Sequence, residues 1–554
     1  RWVERHFSLF HGAVEIYYIR WKQTGDPAHL EHAFRLAEKS KSLLLLESMR
    51  KSQAERIAGV PDSLLEKERR LGTELNRLEK WQLNALNAGD PETARRAGAD
   101  IAEARQELQA LVQDFERHYP AYFQMKYALR TASTDQLRQR ILQPGQALVE
   151  FFTSDSAVFV FVLTQKDFRC LRLAIDFPLE NWVTELRRSL QAYPNLTGEA
   201  ASAQAKIFTE RAFWIWQKIW SPIAPPTTPP TPKGEMALLP EKIILVPDGA
   251  LAYLPFEALL EEMPADFRKF KTHRYLLCKH QISYAYSATQ LLEIAENQAA
   301  ASAFAGALAF APSFENSPAG LRPLKFNQVE AKAAYRIFGG DLRLASEATL
   351  AEFFRLTGAA DSPLGAGGAA IGDYQILLLA THGQAGASVG DLSRLAFTFP
   401  ADSVGEAFLY LRDLYDLRLP AQLVILSACE TGVGEYRSGE GVLSLARGFF
   451  QAGARSLVTT LWSVDDAKNA RLMEEFFRCL KAGMDKDEAL RKAKLAYLKS
   501  RPHDEAHPVF WAAAVAVGEM EGLEFQGFSW WWAAAVVVVL VLLAGYFWRN
   551  RAQS

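Results

Sequence analysis

Cysteine is scarce: four residues in 554, at Cys170, Cys278, Cys429 and Cys479. No two form a CxxC pair, which excludes the usual structural zinc arrangement. So few thiols in so long a chain fit a reducing compartment, where a free cysteine survives. Net charge is scarce too. Lys and Arg number 62 against 64 Asp and Glu, leaving −2, so nothing draws the chain as a whole to nucleic acid or anionic lipid. No secretory signal opens it. It begins at Arg1 rather than Met and in mid-pattern, as a piece of a longer chain with more repeats upstream would. The Gly-rich GAGG stretch (Gly365–Gly368) lacks a following GK[ST] and precedes a strand, which excludes a phosphate cradle. His503 and His507 flank the approach to Pro508 and read as loop or core residues. No cofactor and no metal is expected.

What is present is apolar and aromatic: 49% hydrophobic residues and 12% aromatics, enough for large cores in several domains. Residues 1–50 are expected as a helix pair. Phe10, Val14, Tyr17, Tyr18 and Trp21 recur at helical spacing, a TGDP turn (Thr24–Pro27) follows, and a second helix contains AFRLAEKSK (Ala33–Lys41). Its A-F-x-x-A-E-K core resembles a tetratricopeptide repeat. One repeat cannot bury its own face, so it caps an array or packs on the succeeding part of the chain. Residues 51–135 are expected as a helical hairpin. Leu64, Leu71, Leu75 and Leu78 share one face, with Ile101, Leu108, Leu111 and Phe115 on the second helix. Ser63 and Glu66 suit a capping box, and NAGDP (Asn87–Pro91) breaks the pattern.

Residues 136–223 are expected as a small α/β region opened by a hairpin, ALVEFF (Ala147–Phe152) and VFVFVLT (Val158–Thr164). APPTTPPTPKG (Ala224–Gly234) reads as an extended linker. Residues 235–518 alternate strand and helix patterns, which implies a mostly parallel sheet with helices on both faces. A juxtamembrane linker (519–529), an uncharged stretch WWWAAAVVVVLVLLAGYFW (530–548) and a tail (549–554) close the chain. That stretch would span about 28 Å as a helix, near the roughly 30 Å of a hydrocarbon core. Its aromatics sit at both ends. A single C-terminal transmembrane helix is expected, anchoring cytoplasm-facing domains to a membrane.

Two segments carry chemistry. ILLLATHG (Ile376–Gly383) and LVILSACETGVG (Leu423–Gly434) each read as a buried strand ending in a reactive residue, His382 or Cys429. Open α/β sheets place ligands beyond the carboxyl ends of their strands. A thiol and an imidazole at two such ends can form a nucleophile–base pair, which points to a cysteine peptidase. The 47 residues between them leave room for one crossover, so the strands can be neighbours. Gly383 is expected to let the chain turn sharply there. The backbone N–H groups of Gly383 and Cys429 suit an oxyanion hole. Against this, a Cys at a strand end is commonly a small buried hydrophobe, and a His before Gly a turn residue.

Several ordered motifs resemble the CHAT family of peptidase-like domains. They are PDGALAYLPFEALL (Pro247–Leu260), SATQLL (Ser287–Leu292), LRPLKFNQVEA (Leu321–Ala331), THG (Thr381–Gly383), SACETGVGE (Ser427–Glu435), GEGVLSLARGFFQAGARSLVTTLWSV (Gly439–Val464) and HPVFWAAAVAVG (His507–Gly518). The resemblance implies a multidomain fold: repeat-like helices, then a caspase-like α/β sandwich with a small pseudo half and a larger active half. It implies kinship with caspases, separases and gingipains, and carries a catalytic pair onto His382 and Cys429. In separase-like relatives an acidic residue after the LWxV strand shapes the specificity pocket. LWSVDD (Leu461–Asp466) offers Asp465 and Asp466 for that role and for cleavage after Arg or Lys. Either Asp equally suits a helix N-cap. The expectation is a membrane-anchored, bacterial-type CHAT cysteine endopeptidase acting on a protein substrate. A protein activator docked on the N-terminal helices would gate it, with Gly358–Gly372 as a moving element. The rival is a silent scaffold that only binds partner proteins.

Overall fold

The structure is a computed structural model. It describes residues 2–41, 60–87, 90–120, 131–224, 239–296, 306–315, 317–357, 373–384, 393–399, 407–415, 417–427, 435–437, 441–443 and 445–525. The strands are β1 (Gln146–Thr153), β2 (Ala157–Thr164), β3 (Phe168–Ala174), β4 (Lys242–Val246), β5 (Gln281–Tyr284), β6 (Ala307–Pro312), β7 (Gly340–Ala345), β8 (Ile376–Ala380), β9 (Gly383–Gln384), β10 (Arg394–Ala396), β11 (Phe408–Tyr410), β12 (Leu423–Ser427), β13 (Glu435–Arg437), β14 (Gly441–Leu443), β15 (Ser456–Thr460) and β16 (Ala514–Gly518).

Among the described residues, eleven strands make one sheet in the order β3-β2-β1-β4-β5-β16-β15-β12-β8-β6-β7. From β15 to β7 the neighbours run parallel, as the alternating pattern implied. β8 and β12 are buried on both faces except at Ser427, which is why they read as unbroken apolar runs. The small α/β region has no sheet of its own. Its hairpin β1–β2 forms as expected. A third strand, β3, extends it, and β1 pairs in parallel with β4. β4 and β5 stand beside the small region, so the proline-rich stretch marks no break in the sheet. The Gly441–Ala452 stretch has a helical pattern in sequence, but residues 441–443 are strand β14 and the helix starts at Leu445.

The helices that matter below are α1 (Trp2–Thr24), α2 (Pro27–Lys39), α3 (Asp62–Asn87), α4 (Pro91–His118), α5 (Leu179–Ala192), α6 (Gly198–Ile215), α7 (Ala288–Glu296), α8 (Asn327–Phe338), α9 (Asp466–Lys481) and α10 (Lys486–Ser500). The repeat-like pair α1–α2 packs against β2 and β3. Phe34 lies edge-on to Phe161 and Phe168, and Leu30, Ala33 and Ala37 are buried in the same cluster. Polar ties reinforce the joint. The buried Glu38 carboxylate accepts from the Ala288 and Thr289 N–H groups at 3.0 and 2.6 Å, and from the Thr289 hydroxyl. A carboxylate at a helix N-terminus satisfies donors that have no intrahelical partner. Lys41 Nζ donates to Glu150 Oε1 at 3.1 Å and to the Phe151 carbonyl at 2.6 Å. Burial first, and then the Glu38 charge, push the Glu150 carboxyl well above the usual range, while Lys41 pulls against them.

The hairpin α3–α4 forms with the expected apolar face, Leu65, Leu71 and Leu78 meeting Leu111, Phe115 and Ile101. Asp90 caps α4 through the Thr93 N–H. The capping box expected at Ser63 is not formed. The helix starts one residue earlier, at Asp62, and Leu64 and Leu65 donate to the Pro61 carbonyl, so Ser63 lies inside the first turn.

The expected membrane anchor is corrected. Among the described residues no helix is long and apolar enough to cross a membrane, which overturns the assignment of a single-pass membrane chain with cytoplasm-facing domains. The longest helices, α3 and α4, are amphipathic and charged along their outer faces, which suits packing on protein rather than immersion in lipid. The segment 530–548, on which that expectation rests, lies outside the described residues.

Candidate active site

β8 and β12 are parallel neighbours in register, Ile376 beside Leu423 and Ala380 beside Ser427. Their carboxyl ends are therefore level, and the Thr381 N–H ties them by donating to the Ser427 carbonyl at 3.2 Å. This is the adjacency that the 47-residue spacing allowed. His382 follows at the end of β8, partly exposed. Its Nε2 lies 2.7 Å from the Arg322 carbonyl oxygen. A carbonyl only accepts, so Nε2 carries the hydrogen and the neutral ring keeps its lone pair on Nδ1. Phe314 packs against the imidazole, ring centres 4.7 Å apart. Tautomer and orientation are thus set before any substrate arrives. Cys429 lies outside the described residues, as do its neighbours from 428 to 434 and the Gly-rich 358–372 stretch.

Gly383 does not turn the chain sharply. It is absent from the glycines with positive φ and runs straight into β9, which pairs antiparallel with β10. Ala396 N–H donates to the His382 carbonyl at 2.9 Å, so Gly383 and Leu395 face each other as a non-hydrogen-bonded pair. The Gly383 N–H therefore points out of that ladder.

The two acids after β15 divide. Asp465 is exposed and caps α9, its Oδ1 accepting from the Lys468 N–H at 3.0 Å. Asp466 lines a cleft with Leu324, Thr381, Thr460 and Val464. Burial pushes its carboxyl up, a charged His382 would pull it down, and Asp465 pushes it further up.

The cleft floor holds a group that sequence reasoning missed. Glu330 on α8 is 3% exposed. Its Oε2 accepts from the Ser427 hydroxyl at 2.7 Å. Asn469 on α9 donates to Ser427 Oγ at 2.8 Å, and at 3.4 Å to Glu330 Oε2. Burial pushes the Glu330 carboxyl up to about 7; the Ser427 and Asn469 hydrogen bonds oppose the rise, and Asp466 adds to it. Glu330 and Asn327 fall within LRPLKFNQVEA, yet an Asn and a Glu on an amphipathic helix carry no chemical signature of their own. Among the described residues no group of three His, Cys, Asp or Glu is placed to hold a metal ion.

A family model described as the CHAT domain matches residues 209–519. Tetratricopeptide repeat protein 28 of Homo sapiens is 30% identical over 113 residues, and that of Mus musculus 31% over the same length. The match covers 20% of this chain and 4% of either relative, so the chain spans a small fraction of the curated proteins it matches. These relatives are mammalian, and the expectation of a bacterial-type protein finds no support in them. Two crystal structures of the Saccharomyces cerevisiae separase–securin complex match at 10% identity. One has a TM-score of 0.45 over 75% of this chain and 32% of that chain; the other has 0.42 over 86% and 40%.

Proposed function

The chain belongs to the CHAT family, and from that premise we propose that it is a cysteine-type endopeptidase using His382 and Cys429. The observation that carries the reading is the His382 ring, held by the Arg322 carbonyl with Nδ1 left as the base, at the end of a strand level with the one that leads to Cys429. In the proposed reaction Nδ1 takes the thiol proton and Cys429 sulfur attacks the scissile carbonyl. The Gly383 and Cys429 N–H groups hold the oxyanion. Collapse of the intermediate expels the amine, which takes the proton back from His382 and leaves an acyl-enzyme. Water then hydrolyses that thioester, with His382 again as base. Asp466, in the cleft beside this end of the sheet, suits a basic side chain on the substrate, so cleavage after Arg or Lys is expected. Asp465, engaged as a cap, is left out of that role.

The second reading is a scaffold whose helices bind a partner protein. It is favoured by Leu9, Ile16 and Ile19, which stand 64%, 57% and 44% exposed on α1; a docked activator would use the same surface. A positional peptide library decides between them. The full chain is expected to cleave after basic residues and Cys429→Ala to cleave nothing. Equal cleavage by both proteins, or none by either with Cys429 no more reactive to an alkylator than exposed Cys278, would sink the peptidase.

A further inference from the structure

One turn of α8 reaches three adjacent strand ends. Asn327 Nδ2 donates to the Pro312 carbonyl of β6 at 2.8 Å and to the Ala380 carbonyl of β8 at 3.2 Å. Glu330, three residues on and on the same helix face, takes the Ser427 hydroxyl of β12. The geometry fits because a helical turn rises about 5.4 Å, close to the roughly 4.8 Å between strands. Asn327 thus steadies the strand that leads to His382, and Glu330 the strand that leads, two residues past Ser427, to Cys429. Ser427 is held from a second side by Asn469, so its hydroxyl has one acceptor and one donor, each from a different helix.

A polar side chain at this buried position is not explained by packing. Glu330 Oε1 is buried with no hydrogen-bond partner among the described residues, and the side chain lines the cleft. Such an oxygen costs the fold. An apolar side chain would fill the space without that cost, but would leave the Ser427 hydroxyl with no acceptor on α8. Residues that break a local rule without a structural gain cluster at functional sites.

We propose that Glu330 is a positioning residue for the reaction, acting through Ser427 to hold the end of β12 and so the placement of the nucleophile that follows. The inference rests on the reading of Cys429 as that nucleophile. It assigns Glu330 no contact with the reacting atoms.

The test measures alkylation of Cys429 by iodoacetamide in the full chain, against exposed Cys278 as internal reference, together with kcat and KM for peptide cleavage. Glu330→Ala is expected to slow Cys429 alkylation and lower kcat by roughly 10- to 100-fold, leaving KM and Cys278 labelling unchanged. Glu330→Gln, which keeps the acceptor, restores most of the rate. Ser427→Ala reproduces the Glu330→Ala loss, and the double variant is no slower than either single one, because both act through the same bond. Ser427→Ala also serves if Glu330→Ala folds poorly. Alanine and glutamine variants equally slow, additive losses in the double variant, or wild-type rates throughout would each overturn the proposal. Failure of the parent reading looks different: wild-type protein that cleaves no peptide, with the alkylation series still reporting whether Glu330 positions Cys429.

Discussion

Glu330→Gln should make the protein more heat-stable at alkaline pH and leave it unchanged in acid. The folded-state carboxyl is raised from the ordinary 4.5 to about 7. A raised carboxyl binds its proton more tightly in the folded than in the unfolded chain. Stability therefore falls as pH climbs from about 4.5 to about 7 and is level on either side. Each pH unit of that interval is worth about 1.4 kcal/mol, so the ionised side chain costs the fold about 3 kcal/mol at pH 8. Glutamine has the same shape, keeps the bond from Ser427 and never ionises. If the part of the chain that carries the eleven-stranded sheet, residues 146–518, unfolds as one unit, an entropy of about 2.1 cal/mol/K per residue converts this to about 4 °C. The assay is the thermal midpoint of both proteins from pH 4 to 9. Asp466, the other carboxyl that lines the cleft, is present in both and cancels to first order. The midpoints should coincide at pH 4 and diverge through pH 5–7, with the variant about 4 °C higher above pH 7.5. Parallel curves at every pH would show that the Glu330 carboxyl titrates normally and would refute the burial argument.

Other consequences come from the same contacts. Lys494 and Glu257 form a buried pair at 2.8 Å, 1% and 4% exposed, with the Tyr284 hydroxyl on the other carboxylate oxygen; Lys494→Met should lower stability by roughly 3–5 kcal/mol because it leaves a buried charge unpaired, and an unchanged denaturation midpoint would contradict that. Glu38→Ala removes the acceptor at the start of α7, so hydrogen exchange at the Ala288 and Thr289 amides should accelerate well beyond that of amides in β12. Asp465→Ala should cost about 0.5–2 kcal/mol by losing the α9 cap without altering cleavage preference. Asp466→Asn should instead relax any preference for Arg or Lys while leaving the thermal midpoint little changed; identical peptide-library profiles for the two variants would remove Asp466 from substrate recognition.

Much of the fold was legible in the chain alone. Unbroken apolar runs of strand length at Ile376–Ala380 and Leu423–Ser427 mean burial on both faces, and only a covered parallel sheet supplies that. The spacing of His382 and Cys429 left room for a crossover between neighbouring strands. Leu71, Leu78, Leu111 and Phe115 announced a hairpin by period alone. Where local signals misled, a neighbouring signal won. Pro61 set the start of α3 and displaced the capping box from Ser63, and Gly383 and Gln384 form an edge strand instead of a turn.

The sequence by itself determined most of the elements and the family, and nominated His382 and Cys429 as candidates, because periodicity, turn chemistry and motif order are local properties of the chain. Only the tertiary structure decided which groups meet. Sheet order put β4 beside β1 and β5 next to β4, since strands choose neighbours by what they bury and not by where a linker falls. The carbonyl that orients His382 belongs to Arg322, 60 residues away. Every residue has such a carbonyl, so no side-chain pattern marks the one that will be used. Glu330, Ser427 and Asn469 lie on three elements and share one hydroxyl. Their roles depend on distances of under 3 Å that exist only after α8 and α9 have packed on the sheet.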